Sequence, residues 1–306
     1  MKKMTLLLVA LVALVLSACS MESPFLENAK EDSATDGKVT YKIGFSISTL
    51  NNPFFVTLSE GAKANAQEQG AEISIVDAQD DASKQASDVE DLIQQGVDLI
   101  LINPVDSSAV GSAVESANAA GIPVITVDRT ADTGEVVSHI ASDNVAGGVL
   151  AGEYLLELVG EGAKAAMLEG VAGSSAARDR GEGFLKAVDG KVDLVSSLTA
   201  NFDRGEGLTV MENMLQANPE IQAVFAQNDE MALGALEAIQ ATGKDIKVIG
   251  FDATDDALAA IKAGKLAASV AQKPEEIGKS AIATAVAYLN GETVEEFVPV
   301  ELELVK

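Results

Sequence analysis

Amides, carboxylates, guanidinium groups and phenylalanine rings recur in this chain at one kind of position, directly after short apolar runs. The run YKIGFSI (41–47) leads into Asn52, Phe54 and Phe55, DLILIN (98–103) ends in Asn103 ahead of Pro104 and Asp106, and PVITVD (123–128) ends in Asp128 with Arg129 next. Farther on come Arg178 and Arg180, then Phe202, Asn228 and Asp229 after AVFAQN (223–228), Asp252 closing KVIGFD (247–252), and Gln272 closing LAASVAQ (266–272). A hydroxyl both donates and accepts, so acceptor-only carboxylates, donor-only guanidinium groups and two-way amides together can satisfy a ligand with many hydroxyls. The C–H faces of such a ligand's ring are apolar and slightly positive and lie well on the negative face of an aromatic ring. The chemistry within reach of this set is therefore capture of a sugar, whereas a phosphate would call for uncompensated positive charge. Each residue also has an ordinary structural role open to it. Asn and Asp at strand ends cap helices, Phe54 and Phe55 could edge a core, and Asp128 with Arg129 could be a surface ion pair.

The elements that must position these groups alternate strictly. AEISIVDA (71–78) and AKAAMLEG (163–170) complete the candidate strands, and helical patterns such as 55–69, 83–95, 107–120 and 229–242 lie between strands. Alternation of this kind predicts an α/β fold of doubly wound parallel sheets with right-handed crossovers. The pattern breaks near ASDN (141–144), which divides it into two lobes. Ligands of such sheets bind at the carboxyl ends of the strands, where the residues above are found. With 47% apolar residues, each lobe can bury a core.

The amino-terminal residues carry other information. Lys2 and Lys3, the apolar run from Leu6 to Leu16 and the small residues Ser17 and Ala18 have the three-part pattern of an export signal over 1–18. The run is shorter than the roughly 20 residues that a membrane span needs. It ends in LSAC (16–19), which resembles the lipobox of bacterial lipoproteins, and Cys19 is the one cysteine in the sequence. Lipidation of Cys19 is expected, with 19–39, rich in Ser, Glu, Asp and Asn, as a solvated tether. The protein would then be extracytoplasmic and held to the membrane by its lipid. A net charge of −26 argues against nucleic acid as a partner.

Catalysis finds little support. Asp128 and Asp252 could be read as a glycosidase pair, but such pairs need one raised pKa, and Arg129 beside Asp128 favours the charged form. No catalytic residue is assigned. His139 and Cys19 are the sole histidine and cysteine, too few for a metal centre, so neither metal nor cofactor is expected. Three GEG triplets begin at Gly160, Gly181 and Gly205, without the further glycine of a dinucleotide loop. Gly278, Lys279 and Ser280 end like a phosphate loop, but Lys273 stands where its first glycine belongs.

Taken together, STLNNPFF, ILINPVDSSAVG, PVITVDR, EVVSHIASDN, SSAARDRGEGF, VFAQNDEMALGAL and GFD resemble the periplasmic ribose-binding proteins of bacterial ABC transporters, from about Lys42 to the end of the chain. The resemblance implies two lobes joined by a three-strand hinge, with crossings near 141–144, near 272–274 and shortly before the end. The lobes would be 40–142 plus 273–301, and 143–272 plus 302–306. It implies polar contacts to the sugar from Asn52, Asn103, Asp128, Arg129, Arg180, Asn228, Asp252 and Gln272, and stacking by Phe54, Phe55 and Phe202. It further implies a monomer, with ribose as ligand, allose or xylose as alternatives, the permease subunits of an ABC importer as partners, and a chemoreceptor as a second candidate partner. Three neighbours depart from the pattern: Ala253 in place of glycine, expected to narrow the pocket or alter the turn, Asn201 in place of an acid, and Lys273. The absence of tryptophan disfavours hexose-binding relatives that stack on it. Sugar-responsive repressors share the two-lobed fold but add a helix-turn-helix and a basic surface, neither of which fits this acidic chain.

Overall fold

The computed structural model describes residues 40–306, so the expected export signal, Cys19 and the tether lie outside the described residues. Two six-stranded sheets organise the chain. The first contains β1 (Lys42–Ile47), β2 (Glu72–Asp77), β3 (Leu99–Ile102), β4 (Val124–Val127), β5 (Ser138–Ser142) and β11 (Phe297–Val300), in the order β11-β5-β4-β3-β1-β2. The second contains β6 (Lys164–Glu169), β7 (Asp193–Thr199), β8 (Ala223–Ala226), β9 (Lys247–Asp252), β10 (Ala268–Ala271) and β12 (Glu303–Val305), in the order β12-β10-β9-β8-β6-β7. Every pairing is parallel except that of β10 with β12. The central strands LILI, VITV and AVFA are buried at every residue, as strands covered by helices on both faces must be.

The helices are α1 (Pro53–Gln69), α2 (Ala82–Gln94), α3 (Gly111–Ala119), α4 (Asn144–Val159), α5 (Ser175–Val188), α6 (Arg204–Ala217), α7 (Asp229–Thr242), α8 (Asp255–Lys262) and α9 (Pro274–Leu289). Three pairs pack most closely, α1 with α9, α4 with α5, and α6 with α7. Glycine makes each approach possible: a Cβ at Gly278 would strike the Leu58 carbonyl, one at Gly183 that of Val145, and one at Gly207 the backbone of Met231. Two of the GEG triplets and the GKS sequence thus serve helix packing. The third, at Gly160, forms a turn with Gly160 at φ 75° and Gly162 at φ 77°.

All eight apolar runs singled out in the sequence form strands. β7 is an addition, an edge strand whose serine-rich DLVSSLT is only partly buried and lacks the apolar signature. β11 and β12 are short edge strands. The helix expected over 107–120 begins at Gly111, because Asp106 accepts from the amides of Ser108 and Ala109 and holds the preceding residues in a turn. The chain passes between the sheets at 142–144, 271–274 and 300–303.

Candidate ligand-binding site

Between the carboxyl ends of the two sheets lies a cavity of about 240 Å³. From the first sheet, the turn after β1 supplies Asn52, Phe54 and Phe55, and the end of β4 supplies Asp128 and Arg129. From the second, α5 supplies Ala176 and Arg180, the turn after β7 supplies Phe202, and the ends of β8, β9 and β10 supply Asn228, Asp252 and Gln272. Ten of the eleven residues expected from the sequence therefore line one cavity. Asn103 does not. Its oxygen accepts from the Ser48 amide at 3.1 Å, and its Nδ2 donates to the Val127 carbonyl at 3.0 Å and to Asp128 Oδ2 at 3.4 Å, so it supports Asp128 from beneath. Ala176 had no sequence signal, being a small residue in the first turn of a helix.

Helix capping and cavity lining coincide at two residues. Asn52 Oδ1 accepts from Phe54 N at 2.9 Å and starts α1, and Asn228 Oδ1 accepts from Met231 N at 2.9 Å and starts α7. Asn228 Nδ2 also donates to the Phe202 carbonyl at 3.1 Å. The rings of Phe54 and Phe55 meet edge to face, 5.2 Å apart. Phe202 is held at φ 61°, and its ring packs on Gly170, where any side chain would collide with it.

The ionisable groups are two of each sign, all almost fully buried. Arg129 Nε is 3.7 Å from Asp128 Oδ2, and one Arg129 terminal nitrogen donates to the Pro104 carbonyl at 3.1 Å. Arg180 donates to Asn144 Oδ1 and to the Gln227 carbonyl, both at 2.8 Å, and sits 3.9 Å from Asp252 Oδ1 and 3.9 Å above the Phe251 ring. Gln272 donates to Asp252 Oδ1 at 2.8 Å. Burial pushes the Asp128 carboxyl up, and Arg129 and Arg180 pull it down with less effect. The sequence argument from Arg129 thus has the right sign, but burial outweighs it. Burial likewise raises Asp252 well above the usual carboxylate range, against Arg180. Asp128 Oδ1, Arg129 Nε and Gln272 Oε1 are buried with no protein hydrogen-bond partner. Buried polar groups without partners are rare, and these three belong to side chains that line the cavity.

The neighbouring departures do not line this cavity. Ala253 takes φ 55° and directs its amide at Ser269 Oγ, Asn201 bonds Glu206, and Lys273 lies near Glu276 and Glu301. Arg178 pairs with Asp132 on the surface, and His139 packs on Phe297. Asp229 is buried and does not line the cavity, and burial pushes its carboxyl up to about 7 against hydrogen bonds from Ser269 and Thr254. Among the described residues no cluster of His, Cys, Asp and Glu could hold a metal ion, and no helix is long and apolar enough to cross a membrane.

Comparison with known proteins supplies the family. The profile described as "Periplasmic binding protein domain" matches residues 43–293. The ribose import binding protein RbsB of Bacillus subtilis is 55% identical over 304 residues, covering 99% of each chain. That of Escherichia coli is 54% identical, covering 86% of this chain and 90% of its own. Among solved structures, an ABC transporter solute-binding protein from Mycobacterium smegmatis with bound glycerol superposes with a TM-score of 0.84 at 40% identity, covering 87% of this chain and 94% of that one. A Bacillus halodurans counterpart with bound myo-inositol gives 0.83 at 37% identity, over 87% and 94%. With the cavity at the carboxyl ends of two parallel sheets, these likenesses establish that the chain belongs to the periplasmic binding protein family.

Proposed function

We propose that this protein binds D-ribose in the cavity between its sheets and delivers it, chemically unchanged, to the permease subunits of an ABC importer. The observation that carries the reading is the cavity's lining. Three aromatic rings and buried donors and acceptors from both sheets, some without protein partners, suit a small ring with hydroxyls around its edge. Relatives at 51–55% identity are named ribose import binding proteins.

In this reading the contacts are Asn52, Asp128, Arg129, Arg180, Asn228, Asp252 and Gln272, the rings of Phe54, Phe55 and Phe202 enclose the sugar, and Asn103 orients Asp128. Residues 40–142 with 273–301 form one lobe and 143–272 with 302–306 the other. The three chain crossings act as a hinge, and because contacts come from both lobes, sugar shifts the population to the closed form. The permease reads that closed surface, and a chemoreceptor is a second candidate reader. The family is extracytoplasmic. Within that location, Cys19 carries the lipid and 19–39 tethers a monomeric binding domain to the membrane.

Calorimetry against ribose, allose, xylose, arabinose, galactose and glucose tests the ligand. Ribose is expected to bind tightest, and preference for another sugar would replace ribose while leaving the class intact. Cys19→Ala is expected to release the protein from the membrane fraction, and retention there would refute the anchor.

A further inference from the structure

Asp252, the carboxylate closing β9, holds its side chain in the cavity from an unusual backbone: φ is 115° at Asp252 and 55° at Ala253, two successive residues in the region that L side chains rarely adopt. Such a turn persists only when its surroundings fasten it. The fastening comes from Asp229, the first residue of α7, which is fully buried and does not line the cavity. Asp229 Oδ2 accepts from Thr254 N at 2.7 Å and from Thr254 Oγ1 at 3.2 Å. Asp229 Oδ1 accepts from Ser269 Oγ at 2.7 Å, and Ser269 Oγ in turn accepts from Ala253 N at 3.0 Å. Both amides that follow Asp252 are thus held, one directly and one through a hydroxyl.

Space for the carboxylate is provided by Gly250, two residues before Asp252, where a Cβ would collide with Asp229 Oδ1. A buried carboxylate is costly unless hydrogen-bonded, and the bonds that satisfy this one come from the turn and from β10 beside it. We propose that Asp229, acting through Ser269 and Thr254, is a positioning residue that presents Asp252 to the sugar. The inference rests on Asp252 being a ligand contact. Burial shifts the Asp229 carboxyl toward its neutral form. Asparagine mimics that form: its oxygen can accept from Thr254 N and its amide can donate to Ser269 Oγ.

The experiment is calorimetric titration of ribose into wild type, Asp229→Ala, Asp229→Asn and Ser269→Ala, with the thermal unfolding midpoint of each recorded so that affinity is scored on folded protein. Asp229→Ala and Ser269→Ala are expected to weaken binding about 10-fold, the consequence of a lost buried hydrogen bond, and Asp229→Asn to stay within about three-fold. A loss under three-fold in folded Ser269→Ala, or an Asp229→Asn as weak as Asp229→Ala, overturns the proposal. Should Asp229→Ala fail to fold, Ser269→Ala, which removes a single hydroxyl, decides. If wild type binds another sugar of the panel in place of ribose, the same ratios are taken with that sugar, so failure of the ligand reading is seen in wild type alone.

Discussion

The guanidinium of Arg129 lies over the ring of Phe202, 5.4 Å from Cζ to the ring centre, joining a residue that follows β4 of one sheet to a residue that follows β7 of the other. The same guanidinium lies 5.1 Å from the centre of the Phe55 ring. A planar, weakly hydrated cation can lie on aromatic faces and still donate in its own plane, as Arg129 does to the Pro104 carbonyl, whereas an ammonium is a compact, strongly hydrated charge. Arg129→Lys keeps the charge and loses this geometry. Ribose affinity is expected to fall about 10- to 100-fold, or about 1.4–2.8 kcal/mol, with the ligand-free unfolding midpoint little changed. Calorimetry decides, and unchanged affinity would show that only the charge matters.

Contacts between the sheets also occur away from the cavity. Ser107 N donates to the Gly173 carbonyl at 2.9 Å, Ser175 N to Ser107 Oγ at 3.2 Å, and Thr130 N to Ser175 Oγ at 2.9 Å. A Cβ on Gly173 would collide with the Asp106 carboxylate. In the proposed hinge motion these bonds would form only when the lobes meet, and they would then favour the closed form. Gly173→Ala is expected to weaken ribose binding more than about 10-fold and Ser175→Ala by about three- to tenfold, with unchanged urea midpoints for the ligand-free proteins. Small-angle scattering at saturating ribose should show Gly173→Ala less compact than wild type. Wild-type affinity in both variants would remove these contacts from the closure equilibrium.

The strands that position the site were readable in the sequence because burial on both faces makes them continuously apolar, as in LILI and VITV. The edge strand DLVSSLT escapes that signal because its serines are half exposed. Residues at strand ends were readable as candidates, but whether a side chain faces the cavity or the protein was not. Asn103 and Asp128 end neighbouring strands, yet only Asp128 reaches the cavity, because the Ser48 amide and the Val127 carbonyl occupy the Asn103 side chain. Asp229 was visible as a capping acid after Asn228, and its grip on the Asp252 turn depends on Ser269, forty residues away. The GEG triplets were set aside in the sequence for want of the further glycine of a dinucleotide loop, and what their glycines do instead, at helix contacts and in a turn, needed the fold.

Ala253 is expected to carry a measurable strain. At φ 55° a Cβ crowds the following carbonyl, a penalty of about 1 kcal/mol that glycine avoids. Ala253→Gly should raise stability by about 0.5–1 kcal/mol, or roughly 1–4 °C in unfolding midpoint for a chain of this size. Ribose affinity should stay within about three-fold, since Ala253 does not line the cavity and Asp229 still holds the turn. A lower midpoint in differential scanning calorimetry would show that Ala253 is not strained.

His139 gives the protein an acid-sensitive element of known sign. The ring accepts or donates at Nδ1 to Thr126 Oγ1, 2.9 Å away, and stacks on Phe297 with ring centres 5.7 Å apart. Burial lowers its pKa from the ordinary 6.5 to about 4, so between those values the unfolded chain binds a proton that the folded chain refuses. Stability from this group is therefore complete above pH 6.5 and is lost as pH falls through the window toward 4. The buried carboxyls of Asp128, Asp229 and Asp252 are shifted upward and act with the opposite slope, favouring the fold as pH falls. Comparing wild type with His139→Gln at each pH removes their contribution. At pH 7.5 the difference between the two proteins reflects the lost stacking on Phe297 and the altered bond to Thr126. At pH 4.5 wild type is expected to have lost about 2 kcal/mol relative to the variant, measured by urea unfolding. A difference that does not change with pH would mean that His139 is protonated as readily in the folded protein as in the unfolded chain.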